Sequence, residues 1–170
     1  KDWLSTVTYL RASKYGFSDE FMFKYLPSLM LEYKGSAGGG ARGPGNALMS
    51  LVANIVNGQM SQKSFREFAR LGMIDPSKVH HIKGHGLTAG AGAVRGWEVA
   101  QSNPIQWAQQ YVLPAMRKAG ITSQARMLQE AAYLAPNRTS QDMLAQFMLQ
   151  AWKLERDKEN INRATGLAGF

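Results

Sequence analysis

The sequence predicts an all-α protein, an irregular multi-helix domain. Apolar side chains recur at helical spacing through most of the 170 residues, as they do in helices that bury one face. Glycines interrupt this pattern in two places, which predict a Gly-rich linker at 35–46 and a long irregular segment at 72–96. The longest apolar stretch, around 48–56, is too short to span a bilayer.

Residues 1–34 are predicted to form N-terminal helices. Ser18 is a suitable N-cap because two acidic residues follow it, and Pro27 is expected to end or kink the helix that Ser18 begins. The linker that follows contains 6 glycines in 12 residues, a composition that excludes a stable helix. It lacks the spacing of a phosphate-binding P-loop, and we therefore interpret it as a connector.

Residues 47–166 are predicted to form the main helical module. It opens with an αα-hairpin, whose helices at 44–57 and 61–71 are joined at Gly58, a favourable residue after a helix. The segment 72–96 then interrupts the helical pattern, and its prolines, glycines and histidines exclude a long helix. We expect a small β-hairpin at about 79–87. Irregular segments of this length are usually functional or mobile.

The C-terminal part is predicted to be more regular. Asn103 and Pro104 make a good helix start, and Pro114 is expected to kink that helix. Thr122 is expected to cap a helix that runs to about residue 135. The positions of this helix that we expect to be buried are Ala125, Leu128, Ala132 and Leu134.

The last helix is predicted at about 140–164, with Thr139 as its cap and Asp142 completing an acidic capping box. Its first half is apolar along one side, and after Leu154 charged residues crowd onto every side. A helix that begins packed and ends solvated is expected where a globular domain leads into a long exposed helix. We therefore interpret the chain as a piece of a longer protein.

Charge indicates an anionic partner or a solvated basic face. The formal net charge is +8, and residues 61–120 hold 8 basic against 3 acidic groups. Such a field favours nucleic acid, anionic lipid or an acidic protein. Four cations in the two Gly-rich segments are candidates for contacts with anions or partners. They are Arg42, Lys78, Lys83 and Arg95.

No metal, cofactor or catalytic site is predicted. The chain has no cysteine, which excludes thiolate chemistry. His81 and His85 have the spacing of a metal-binding pair on a helix, but the glycines on either side of His85 argue against that helix and favour exposed loop histidines. The carboxylates are isolated, no GxSxG motif occurs, and we do not expect an enzyme.

A series of short phrases in the sequence resembles the tail tape-measure proteins of long-tailed bacteriophages and their prophages. The resemblance covers about residues 15–166, and each phrase by itself is ordinary helix-capping sequence. In chain order, around a Gly-rich region at 84–96, the phrases are Leu26-Pro27-Ser28-Leu29, Gly45-Asn46-Ala47-Leu48-Met49-Ser50-Leu51, Asn57-Gly58-Gln59-Met60-Ser61, Leu71-Gly72-Met73-Ile74-Asp75, Pro104-Ile105-Gln106-Trp107, Val112-Leu113-Pro114-Ala115-Met116, Ala119-Gly120-Ile121 and Asn137-Arg138-Thr139.

The resemblance implies structural work in a virion tail. Proteins of this family are long and helical, and they lie inside the tail tube, where their length sets the length of the tail. Tail assembly chaperones, tail-tip proteins, the tube itself and other copies are the implied partners. The implied locations are the virion tail and the host cytoplasm during assembly. The alternative is a basic helical module that binds nucleic acid or a membrane. The helix at 61–71 carries Lys63, Arg66 and Arg70 for such a role, but it contains no Asn and no Gln other than Gln62.

Overall fold

The computed structural model describes residues 2–13, 15–32, 43–135 and 137–168, which form helices and one two-stranded sheet. The predicted all-α class is confirmed. Two π-helical turns, Phe21–Tyr25 and Ala108–Val112, precede α2 and α7. The elements are α1 (Asp2–Arg11), α2 (Leu26–Glu32), α3 (Gly43–Asn57), α4 (Gln62–Arg70), β1 (Val79–Ile82), β2 (Gly86–Ala89), α5 (Trp97–Ser102), α6 (Pro104–Trp107), α7 (Leu113–Lys118), α8 (Gln124–Leu134) and α9 (Arg138–Ala168).

One apolar core joins the early helices to the late ones. Its buried side chains extend along the chain from Val7 in α1 to Ala151 in α9. Helix α9 contributes a buried face of Met143, Leu144, Phe147, Met148 and Ala151. It packs against α2, α3, α6 and α8. The N-terminal helices therefore share a core with the predicted module.

Helices continue past two prolines because a π-helical turn precedes each of them. The Leu26 amide bonds to the carbonyl of Phe21, and the Leu113 amide bonds to that of Ala108, five residues back in both cases. Proline follows directly at 27 and 114. Since proline lacks an N–H and crowds the preceding turn, a wider turn at this point accommodates the ring. Pro27 therefore does not end its helix.

Helix α3 runs from Gly43 to Asn57, which confirms the helix predicted at 44–57 to within one residue. The last four residues of the linker predicted at 35–46 therefore belong to this helix. Pro44 supplies a helical φ and needs no hydrogen-bond partner in the first turn, and Gly45 is buried there. The part of the linker at 35–42, with Arg42, lies outside the described residues.

The caps of the two last helices differ from the prediction. Ser123, and not Thr122, caps α8 by accepting a hydrogen bond from the Arg126 amide. Asn137, and not Thr139, accepts from the Ser140 amide, and α9 begins at Arg138. Both caps are short polar side chains, which suit this position about equally well and are hard to rank from sequence.

The buried face of α8 is also different from the one predicted. Ala125 and Ala132 are exposed and Leu128 is half-buried, whereas Leu134 is buried as expected. The core-facing side chains are Met127, Glu130, Ala131 and Leu134. The alanines misled the prediction because they fit either face of a helix.

Helix α9 passes from the core into solvent. It has 31 residues, and its buried positions end at Ala151. Every residue from 156 to 166 is exposed, which confirms the predicted change of character after Leu154. Within the described ranges, no helix is long and apolar enough to cross a membrane.

Candidate interaction surface

The irregular segment at 72–96, called the insertion below, carries a β-hairpin. Strands β1 and β2 are antiparallel, with Val79 opposite Ala89 and Ile82 opposite Gly86. The hairpin predicted at about 79–87 is therefore confirmed and extends two residues further. A 3₁₀ turn, Pro76–Lys78, leads into β1, and Asp75 caps it by accepting from the Ser77 amide.

Backbone hydrogen bonds close the base of the insertion. The Asp75 amide donates to Ala93 O at 2.8 Å, and the Arg95 amide donates to Met73 O at 2.8 Å. Ile74 and Val94 form the bridge between these two bonds, and both side chains are buried. The two ends of the insertion are therefore joined to each other and to the core.

The insertion rests on the turn between α3 and α4. Gly58 has a φ of +66°, and a Cβ added to it would lie 2.3 Å from Gly90 O. The Gly92 amide donates to Val56 O at 3.1 Å, which fixes the same contact from the other side. Only a residue without a side chain lets the two backbones approach this closely. Gly58 therefore serves both the turn and the docking of the insertion.

The outer part of the hairpin projects into solvent. Gln62, the first residue of α4, donates a hydrogen bond from Nε2 to Leu87 O at 2.6 Å and holds β2 from one side. Beyond this bond, residues 80–87 are all exposed, and they include the large apolar side chains of Ile82 (47% exposed) and Leu87 (49%). The projecting end, residues 82–87, is called the hairpin tip below.

The structure places the predicted cation contacts in two locations. Lys78 and Arg95 lie near Asp75, and both act electrostatically on its carboxylate. Hydrogen bonds from Ser77 are the main cause that lowers the pKa of Asp75, and the two cations add to the effect. Arg95 also donates from Nε to Gly72 O at 3.0 Å. Lys83 lies on the hairpin tip, at the far end of β1 from Lys78.

The three histidines lie on β1 and in the turn that follows it. His81 lies on β1 and His85 in the following turn, and both are exposed. His80 extends toward Gly90 on the base of the hairpin. In the ranges that the structure covers, no group of three His, Asp or Glu side chains could hold a metal ion.

An ion cluster that sequence reasoning missed joins α4 to α8. Arg70 contacts Glu67 at 2.9 Å and also forms a short ion pair with Glu130. Glu130 is buried, and this burial raises its pKa. A hydrogen bond with Glu130 lowers the pKa of Glu67. Burial of Glu130 and its interaction with Glu67 therefore move the pKa values of the two carboxyl groups in opposite directions.

This cluster has the geometry of a structural ion pair. Both carboxylates contact the same guanidinium nitrogen of Arg70, whereas a glycosidase keeps its two carboxyl groups apart around the scissile bond. A shallow groove beside Glu130 is also lined by Lys63, whose ammonium lies 4.6 Å from the centre of the Tyr133 ring. The sequence does contain a signal for the position of Glu130. Met127, Ala131 and Leu134 recur at helical spacing, and a helix that buries them also turns Glu130 toward the core.

Comparison with protein-family models, with curated proteins and with solved structures found no match to this chain.

Proposed function

We propose that the chain is a globular helical module of a phage or prophage tail tape-measure protein, and that it helps to set tail length inside the tail tube. The proposal originates in the ordered phrases of the sequence. The structural observation that supports it best is the course of α9, which packs through Ala151 and is exposed on all sides over 156–166. A helix that begins in the core and continues into solvent is expected where a globular module is joined to a long exposed helix.

The position of the quoted phrases in the fold also supports the proposal. They fall at helix starts and ends and at the docking of the insertion: Gly58 supports the insertion, Pro104 is the first residue of α6, and Asn137 caps α9. Residues at such positions define where helices begin, end and pack. They are the residues expected to matter in a protein whose work is structural.

The surface charge is compatible with this role. The exposed part of α9 carries charges of both signs, and the net positive charge of the chain resides mainly in residues 61–120. Charges of both signs along a solvated helix allow i,i+3 and i,i+4 pairs, which stabilise it without a core. A helix of this kind can extend beyond the module at 1.5 Å per residue, and its length is then a simple function of residue number.

The test is the full reading frame that encodes the chain, and the genes beside it. The proposal predicts a long, mostly helical product encoded among tail genes. A short frame that ends near Phe170, without tail genes nearby, would contradict it. A basic module that binds nucleic acid or a membrane would then be the better interpretation.

A further inference from the structure

We propose that the hairpin tip docks end-on at an anionic lipid surface, with the side chains of Ile82 and Leu87 entering the interface and Lys83 contacting lipid phosphates. The inference does not rest on the tape-measure proposal. Its first basis is exposure, because the two apolar side chains stand about half exposed on a projecting hairpin and not beside the core.

The register of the strands determines how the tip can dock. Leu87 is opposite His81, and Ile82 is opposite Gly86. Since neighbouring side chains point to opposite faces of a strand, Leu87 and Ile82 lie on opposite faces of the hairpin. A flat partner could cover only one of them. A medium that surrounds the tip, such as the interfacial region of a bilayer, can cover both.

The charge of the tip favours an anionic surface. Residues 76–97 contain no Asp or Glu, and of their cations Lys83 lies on the tip, whereas Lys78 and Arg95 lie near Asp75. Lys83 follows Ile82 directly in the turn. The nearest carboxylate before this stretch, Asp75, lies at the base of the hairpin, where it accepts hydrogen bonds from Ser77.

Nucleic acid is less well matched to the tip. A two-stranded ribbon fits the major groove of DNA, but it reads base edges mainly with Arg, Lys, Asn or Gln. Of these residue types, 82–87 contain a single one, Lys83. The Gly58–Gly90 contact already fixes the base of the hairpin, and the bond from Gln62 to Leu87 O holds one end of the tip, so that little of the tip remains to be ordered on binding.

The experiment is flotation of the protein with phosphatidylcholine vesicles that either contain or lack phosphatidylserine. We expect binding to the anionic vesicles only. The double variant Ile82→Ser with Leu87→Ser should lose most of this binding, and Lys83→Gln should weaken it about fivefold, the contribution of one cation near an anionic surface. Leu31→Ser and Lys118→Gln remove an exposed apolar and an exposed cationic side chain elsewhere, and they should bind as the parent does.

A second measurement reports insertion directly. In the variant Leu87→Trp, brominated lipid in anionic vesicles should quench tryptophan emission beyond that of the parent, whereas Leu31→Trp should show no added quenching. Equal binding to neutral vesicles would overturn the proposal. The proposal would also be overturned if the tip variants and the control variants lost vesicle binding to the same extent. It would likewise be overturned if the protein bound duplex DNA through Lys83 and did not bind anionic vesicles.

Discussion

Gly58→Ala should be among the most damaging single-methyl substitutions in the chain. An alanine at a φ of +66° costs about 1–2 kcal/mol because its Cβ crowds the following carbonyl. The new Cβ would also lie 2.3 Å from Gly90 O and 2.9 Å from Gly90 C. Both atoms belong to the backbone, and relief therefore requires the insertion to move by about 1 Å to restore van der Waals contact.

Moving the insertion also lowers the free energy of unfolding, because it disturbs a hydrogen bond at the docking contact. It strains the hydrogen bond from the Gly92 amide to Val56 O, and an overpacked or unpaired contact of this kind costs about 1–3 kcal/mol. The expected total for Gly58→Ala is about 2–5 kcal/mol in the free energy of unfolding. For a chain of this size, that lowers Tm by about 10 °C.

Gly72→Ala is the matched control. Gly72 also follows a helix and has a φ of +71°, but nothing lies within 4 Å of the added Cβ. It should therefore show only the conformational cost of about 1–2 kcal/mol. Urea unfolding followed by circular dichroism gives both values, and hydrogen exchange at the Gly92 amide reports the docking contact. Equal destabilisation by the two variants would refute the assignment of Gly58 to docking.

Three further predictions concern the helical core and its ion pairs. Because burial raises the pKa of Glu130, the folded chain holds its proton more tightly than the unfolded chain, and this group favours folding more as the pH falls toward the ordinary range of a glutamate. Glu130→Gln should remove that part of the pH dependence of unfolding, and an unchanged slope would argue against it. Trp107→Phe should cost about 1–3 kcal/mol in urea unfolding, since Trp107 is fully buried and its Nε1 donates to Arg95 O; no loss would contradict the packing. Arg117→Ala should cost at most about 1 kcal/mol, because its pair with Glu155 is exposed, and a larger loss would show that the pair is more than a surface contact.

Much of the fold could be predicted because its signals are local. Ser61 caps α4 as expected, and Asn103 with Pro104 starts α6. The hairpin was predicted at about 79–87, within a segment whose proline and glycines exclude a long helix, and its strands pair there. Pro27 was harder, because the π-helical turn that accommodates it depends on the packing of the whole helix and has no simple sequence signature.

The site was less predictable because it depends on contacts between distant segments. No local rule brings Gly58 to Gly90, or Arg70 to Glu130 across 60 residues. The error in the face of α8 hid Glu130, since two alanines were taken for buried positions. The cations Lys78, Lys83 and Arg95 were correctly assigned to the irregular segment, but only the structure separates the tip from the base. Their contacts with anions stay a prediction.

The central claim is that the helix leaving this module along α9 adds its length to the tail. The most direct measurement is tail length by electron microscopy, in the phage that the proposed function predicts to carry the gene, after an in-frame insertion of helix-forming residues following Glu159. An insertion of about 40 residues should lengthen the tail by about 60 Å. The same number of residues inserted between Gly84 and His85 enters a side hairpin and should leave the length unchanged. Tails of unaltered length after the α9 insertion, or equal lengthening by both insertions, would contradict the claim.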